Sequence, residues 1–450
     1  MEAVAGVQHE GAGPLILPRA EHCVSRRDID PEALKILFRL QRLGFTAYLT
    51  GGAVRDMLLG RKPKDFDIAT DARPNQIRKY FANAFIIGRR FRLAHIRFRG
   101  GKVIEVATFR KDPGPAAGSA VPSSGTAFAA GQIPAAQKPP EEGGAVMAAG
   151  ERAPLYAFGT PEEDAWRRDI TVNALFYDPA TAAVIDYVGG VADLRQGRIR
   201  VIGDAAERFR EDPVRIWRVI RYAARLGFAI GDGIGAEILE QRQLLAGCSE
   251  SRMYEELSKD LLGPRSRDVF ALHREYGVLR LLLGRIGEAL ENDEPMFAVS
   301  SSLLACADAE KEAGRPMGLD EMLSLLLWPW AAPLLSHAGP DPFPLLKKAF
   351  LGAGMVVALP KGMRAQVTDL LALAGRMVRA LGDGNMRWSA RSRPGYALAS
   401  RLCYMIAQGR VPAAGESFED LYQKTFPGRP LWGGSSPRRR RPRRQVPTVQ

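Results

Sequence analysis

The chain has 450 residues, with 63 Lys and Arg against 50 Asp and Glu, a formal charge of +13 and a hydrophobic content of 46 %. This composition excludes wholesale disorder, and the four scattered cysteines and five scattered histidines argue against a disulfide framework, a CxxC zinc site or a His-based metal centre. No apolar run reaches the roughly 18 residues that span a bilayer and the N-terminus lacks signal-peptide character, so the expectation is a cytoplasmic protein whose basic surplus is directed at nucleic acid.

Residues 1–27 show no sustained periodicity and are expected to form a flexible N-terminus. Asp30, Pro31 and Gly44 read as the cap, first turn and end of a helix, with Leu34, Leu37, Phe38 and Leu40 on its apolar side. The stretch 45–50 reads as a strand that runs straight into GGAVRDMLLG, and 65–70, DFDIAT, alternates like another strand. A helix is expected over 74–81, then short strands around Ile86, Ile96 and Val106, with Gly100-Gly101 turning between the last two. Residues 113–150 change character: 24 of these 38 are Ala, Gly or Pro, which predicts a mobile low-complexity insertion. Order resumes near Tyr156, VIDYVGG at 184–190 reads as strand and turn, and from about 200 onward the pattern is helical. The tail holds Arg438, Arg439, Arg440, Arg441, Arg443 and Arg444, six arginines that supply nearly half of the net charge from a segment expected to be disordered.

The most informative segment is 51–68. In a strand, alternate side chains share a face, so Asp65 and Asp67 project together while Phe66 and Ile68 point into a core. Two such carboxylates repel each other unless a cation lies between them, and Mg²⁺ arriving with substrate phosphates is the usual one. Gly51-Gly52, between a strand and a helix, lets backbone N–H groups approach phosphate oxygens, and Arg55 lies one turn further on. A lone DxD or Gly-Gly would be an ordinary turn; the combination is a phosphate cradle facing a two-carboxylate metal site.

GG-x-VRD-x-LLG followed by DFDIA resembles the head of the class II nucleotidyltransferases, a family that contains tRNA CCA-adding enzymes and bacterial poly(A) polymerases. The resemblance implies a polymerase-β-like palm in which Asp65 and Asp67 hold Mg²⁺, with Mn²⁺ as the alternative, for two-metal transfer. RRDITVNAL matches a second family block, implying that Arg168 contacts the nucleotide, Asp169 joins the acidic set and Asn173 helps with the sugar. Glu105, in VIEVATFR, is the other candidate for a third catalytic carboxylate, and the motif favours Asp169. YVGGVADL is similar to the family's flexible head–neck connection, so Gly189-Gly190 reads as a hinge. In REDPVRIWRVIRY, Asp212, Arg215 and Arg218 can share a helix face, and by resemblance the carboxylate–guanidinium pair selects the nucleobase.

The stretch 86–98, IIGRRFRLAHIRF, resembles the block that marks the poly(A) polymerase branch, and its Arg89, Arg90 and Arg92 add RNA-binding charge. His95 within it reads as packed or hydrogen-bonded. The implied protein is an α+β chain: a mixed-sheet nucleotidyltransferase head at 28–195, an all-α neck at 196–265, an all-α RNA-binding body at 266–430 and a basic tail at 431–450. The implied reaction is template-independent addition of AMP from ATP to RNA 3′ ends on mRNA, small RNA and decay intermediates, alongside RNA-decay proteins. CCA addition to tRNA is the alternative, and a non-catalytic RNA-binding protein on the same fold is the remote one.

Overall fold

The computed structural model describes residues 13–88, 93–111, 157–336, 342–383, 393, 395–409, 418–425 and 427. The chain divides into two compact units, residues 1–249 and 250–450, so the residues expected as a separate neck are divided between them.

The first unit is built on a mixed sheet. In chain order it contains β1 (Leu15–Leu17), α1 (Pro31–Arg42), β2 (Ala47–Thr50), α2 (Gly52–Leu58), β3 (Asp67–Thr70), α3 (Pro74–Tyr80), β4 (Ala84–Ile87), β5 (Leu93–Arg97), β6 (Val103–Thr108) and β7 (Arg110–Lys111). It continues with β8 (Ala157–Phe158), α4 (Pro161–Trp166), β9 (Phe176–Asp178), β10 (Ala183–Asp186), α5 (Gly190–Gln196), β11 (Arg198–Ile199), α6 (Ala205–Glu211), α7 (Val214–Leu226), β12 (Ala229–Ile230) and α8 (Ile234–Gln241). Eight strands form one sheet in the order β1-β10-β9-β2-β3-β6-β5-β4, and β3–β6 is its parallel pair.

Local sequence explains most of these elements. Asp30 accepts a hydrogen bond from the Glu32 N–H (2.9 Å), Pro31 occupies the first turn of α1, and Gly44 follows it with φ +85°. The face that α1 buries is Ala33, Ile36, Leu37 and Leu40; Leu34 and Phe38, expected there, are half-buried at its margin. Gly100 and Gly101 both turn with positive φ between β5 and β6. The core packs Phe109 edge-on to Phe176 at 6.1 Å, with Ala69, Ile185, Val188 and Ile202 around them.

Two expectations need correction here. The segment 1–27, read as flexible, contributes an edge strand from residue 15: Leu15, Ile16 and Leu17 pair with Asp186, Ile185 and Val184. Three residues are too short for periodicity to register, and the pairing is long-range. The strand read at 65–70 begins only at Asp67, so Asp65 lies in the irregular segment before it. Residues 113–150 lie outside the described residues, while the flanking β7 and β8 pair antiparallel, Arg110 with Phe158.

The second unit is helical, as expected: α9 (Glu250–Leu262), α10 (Ser266–Glu275), α11 (Leu279–Leu283), α12 (Arg285–Asn292), α13 (Glu294–Glu312), α14 (Leu319–Ser336), α15 (Phe343–Gly352), α16 (Lys361–Asp383), α17 (Tyr396–Gln408) and α18 (Phe418–Thr425). Its leucine-rich interior also holds a buried Asp260–His273 pair at 2.8 Å. Among the described residues no helix is long and apolar enough to cross a membrane.

Candidate active site

The site grows from the strand–turn–helix at Gly51. The Thr50 hydroxyl and the Gly51 N–H both donate to the Leu175 carbonyl, at 3.3 and 3.1 Å, which ties the end of β2 to the segment before β9. Gly51 has φ +72° and ψ −135°, a conformation side chains resist. A Cβ there would lie 3.5 Å from an Arg168 guanidinium nitrogen, and one on Gly52 3.4 Å from an Arg55 nitrogen. The glycine turn and two guanidinium groups therefore form one cradle.

Both arginines are held in place. Arg55 is buried, pairs with Asp56 at 2.7 Å, donates to the Asn173 side-chain oxygen and lies over the Tyr222 ring at 5.4 Å. Arg168 donates to the Asn173 carbonyl at 2.9 Å, pairs with Asp164 at 2.9 Å and lies over Phe176 at 5.1 Å. Asp164, which the sequence reading did not single out, also holds Arg167 at 3.0 Å. Burial opposes its charge, but Arg168 and Arg167 outweigh that and keep its carboxyl below the usual range. Its spacing of three and four residues before those arginines, across the C-terminal end of α4, was the available signal. Arg208, also missed, braces the same corner by donating to the carbonyls of Arg167 and Arg168 at 2.8 and 2.9 Å.

The helix expected to read the base departs from the expected pairing. Asp212 terminates α6 and accepts from the Val214 N–H at 3.2 Å, starting α7. Arg215 pairs with Glu211 at 2.7 Å and donates to the Arg208 carbonyl at 3.0 Å. Glu211 is the last residue of α6 and Arg215 lies in the first turn of α7, with Asp212 used at the junction, so the guanidinium takes the carboxylate across the corner between the two helices. Arg218 pairs with Asp169 at 2.9 Å.

The two candidates for a third carboxylate have different surroundings. Asp169 is committed to Arg218 and to the Ile170 N–H (2.9 Å). Glu105 instead lies beside Asp67, because the parallel register Ile68↔Val106 carries back by one residue. Motif position favoured Asp169; strand register brings Glu105 to the pair. Glu105 also lies 3.3 Å from His95, its cross-strand partner.

Asp67 keeps a solvent-accessible edge, yet packing around it removes water, and Glu105 and Asp65 add negative charge. Arg168 opposes these effects only in part, and the carboxyl is pushed up to about 6. Neither Asp65 nor Asp67 makes an ion pair among the described residues. Among the described residues no group of three or more His, Cys, Asp or Glu is placed to hold a metal ion. An open pair of hard oxygen donors, short of positive charge, fits a divalent ion whose remaining ligands come from substrate phosphates and water.

The Gly189-Gly190 turn, expected as a hinge, is held by a network of hydrogen bonds from its backbone. The Asp186 carboxylate accepts from the N–H groups of Val188, Gly189, Gly190 and Val191 at 2.9–3.1 Å. A Cβ on Gly190 would lie 2.3 Å from the Thr171 carbonyl oxygen. The glycine is there for close backbone approach, and the turn is pinned. Arg89, Arg90, Arg92 and the tail arginines from Arg438 to Arg444 lie outside the described residues.

Comparison with known proteins gives a consistent result. The family model for the poly A polymerase head domain matches residues 47–200, and that for the probable RNA and SrmB-binding site of polymerase A matches 227–289. The poly(A) polymerase I of Salmonella typhi is 37 % identical over 406 residues, 87 % of this chain and 82 % of that protein. The CCA-adding enzyme of Geobacillus stearothermophilus is 34 % identical over 257 residues, 57 % of this chain and 55 % of that protein. Among solved structures, the Bacillus stearothermophilus CCA-adding enzyme in complex with CTP superposes with a TM-score of 0.59 at 26 % identity, covering 88 % of this chain and 83 % of that one.

Proposed function

The chain belongs to the poly(A) polymerase family and is a template-independent polynucleotide adenylyltransferase, and on that premise we propose how its residues divide the work. Asp65 and Asp67 hold the divalent ion, which we take to be Mg²⁺, and Glu105 is the third catalytic carboxylate. When bound, the metal supplies Lewis-acid stabilisation of the phosphoryl oxygens and of the attacking and leaving groups. The observation that carries this reading is the unpaired state of Asp65 and Asp67 beside an arginine-lined glycine turn.

The triphosphate of ATP lies on the Gly51-Gly52 turn, where Arg168 and Arg55 offset its charge. Asn173 keeps those two guanidinium groups in register with its side-chain and backbone oxygens. Asp212 and Arg215 present an acceptor and a donor to the adenine, and Glu211 orients the guanidinium. Arg218 and Asp169 act by fixing α7 to the head, a positioning role rather than a metal-binding one.

The RNA 3′-hydroxyl attacks the α-phosphorus, a P–O bond forms as pyrophosphate leaves, and AMP remains on the RNA. RNA is held through its phosphates, with Arg89, Arg90, Arg92 and the six tail arginines adding attraction without base reading. We place this activity in the cytoplasm, on mRNA, small RNA and decay intermediates, alongside RNA-decay proteins. The test is labelled ATP and CTP offered with an oligo(A) RNA and with a tRNA lacking its CCA end. Long A tails on the first are expected. CCA completion without tailing would establish the second reading, which rests on the 34 % identity to a CCA-adding enzyme. Deleting residues 437–450 should lower the salt dependence of RNA binding and spare addition to a short primer.

A further inference from the structure

The open face of β4, β5 and β6 is not accounted for by nucleotide chemistry. The register places Asp67 beside Glu105, Glu105 opposite His95 and His95 opposite Phe85. These four side chains therefore form a row on one face of the sheet. The other face is packed: Ala84, Ala94, Ile96, Ile104 and Val106 are buried. A solvated sheet face is ordinarily polar, but here Phe85 is 50 % exposed, Val103 42 % and Ile87 39 %. The Arg97 guanidinium lies over the Phe85 ring at 4.7 Å, a flat surface of ring and cation together. Exposed apolar side chains gathered beside a reactive centre mark a binding surface.

Strand order says which substrate that surface faces. The glycine turn that cradles ATP follows β2, on one side of β3; β6, β5 and β4 lie on the other. The carboxylates of β3 and its approach thus separate the nucleotide cradle from the open face, as a transfer between two substrates requires. From Asp67 to Phe85 is three strand spacings, about 14 Å, the length of about four stacked nucleotides at 3.4 Å each.

We propose that the open face of β4–β6 seats the last nucleotides of the RNA, with a base stacked on Phe85 and Arg97 and the 3′-hydroxyl led along the row to Asp67. This rests on the reading of Asp65, Asp67 and Glu105 as the reaction centre. Stacking on an aromatic ring with an adjacent arginine is tolerant of base identity, and Arg97 adds attraction for the phosphates.

Steady-state addition of AMP to oligo(A) primers tests it. Phe85→Ala and Arg97→Ala should each raise the KM for RNA about ten-fold, the scale of one lost stacked base, with the KM for ATP within about two-fold of the parent's. Phe85→Trp should restore the RNA KM. Placing an abasic nucleotide within the last four positions should weaken the parent protein by a similar factor and Phe85→Ala hardly further. An RNA KM unchanged in both alanine variants overturns the proposal, as does a rise confined to ATP. Failure of the reaction centre looks different: Asp67→Asn should stop addition at every RNA concentration, whereas Phe85→Ala is rescued by more RNA.

Discussion

Two charged regions of the first unit lie side by side and are built on opposite principles. Around Asp164, three carboxylates have cations: Asp164 with Arg167 and Arg168, Asp169 with Arg218, Glu211 with Arg215. Around Asp67, Glu105 and Asp65 add negative charge and Arg168 opposes it only in part. The first arrangement fixes geometry. The second stores electrostatic cost that a divalent ion relieves, so the same residue type serves as a brace in one place and as a ligand in the other.

Removing one charge from each region separates them. Asp67→Ala or Asp65→Ala should cut nucleotide addition by about a thousand-fold or more, the scale of several kcal/mol of lost transition-state stabilisation. Circular dichroism should be unchanged. A variant that still adds AMP at a tenth of the parent rate would break the assignment.

Asp164→Asn should act on stability, because two guanidinium groups lose their buried partner. A loss of about 3 kcal/mol is expected, or roughly 6–12 °C in Tm for a unit of this size. The carboxyl of Asp164 is held below the ordinary range. Its contribution is therefore full above about pH 4, the unfolded value, and is lost as the pH falls through the folded one. Melting curves of parent and variant should converge toward acid pH.

Gly190→Ala tests whether the turn pinned by Asp186 belongs with the braced region. With a Cβ 2.3 Å from the Thr171 oxygen, the backbone has to shift, at a cost of about 1–3 kcal/mol. A thermal shift assay finding no loss would return the turn to the status of a hinge.

The smallest effect has the opposite sign. The folded pKa of Asp67 is raised to about 6, so its ionised form disfavours the metal-free fold. Asp67→Asn should raise the Tm of chelator-treated protein by about 2–4 °C, about 1 kcal/mol once its accessible edge is discounted. The gain should be absent below about pH 4, grow through the interval up to 6 and be full above it. An unchanged or lower Tm at pH 8 would mean that Asp67 is compensated after all.

The local pieces were legible because neighbours in the chain create them. Strand, Gly-Gly, helix and DxD follow from turn chemistry and alternation, and the α+β division follows from the change of period near residue 200. The sequence by itself determined the family to which the chain belongs. Partners were decided only by the tertiary structure. Glu105 reaches Asp67 because β3 and β6 lie parallel and in register, Asp169 pairs with Arg218 because α7 brings it there, and Gly190 lies against a carbonyl from another segment. The reason is physical: a motif's spacing constrains where a side chain points along its own element, while pairing between charges depends on which elements the buried core packs together.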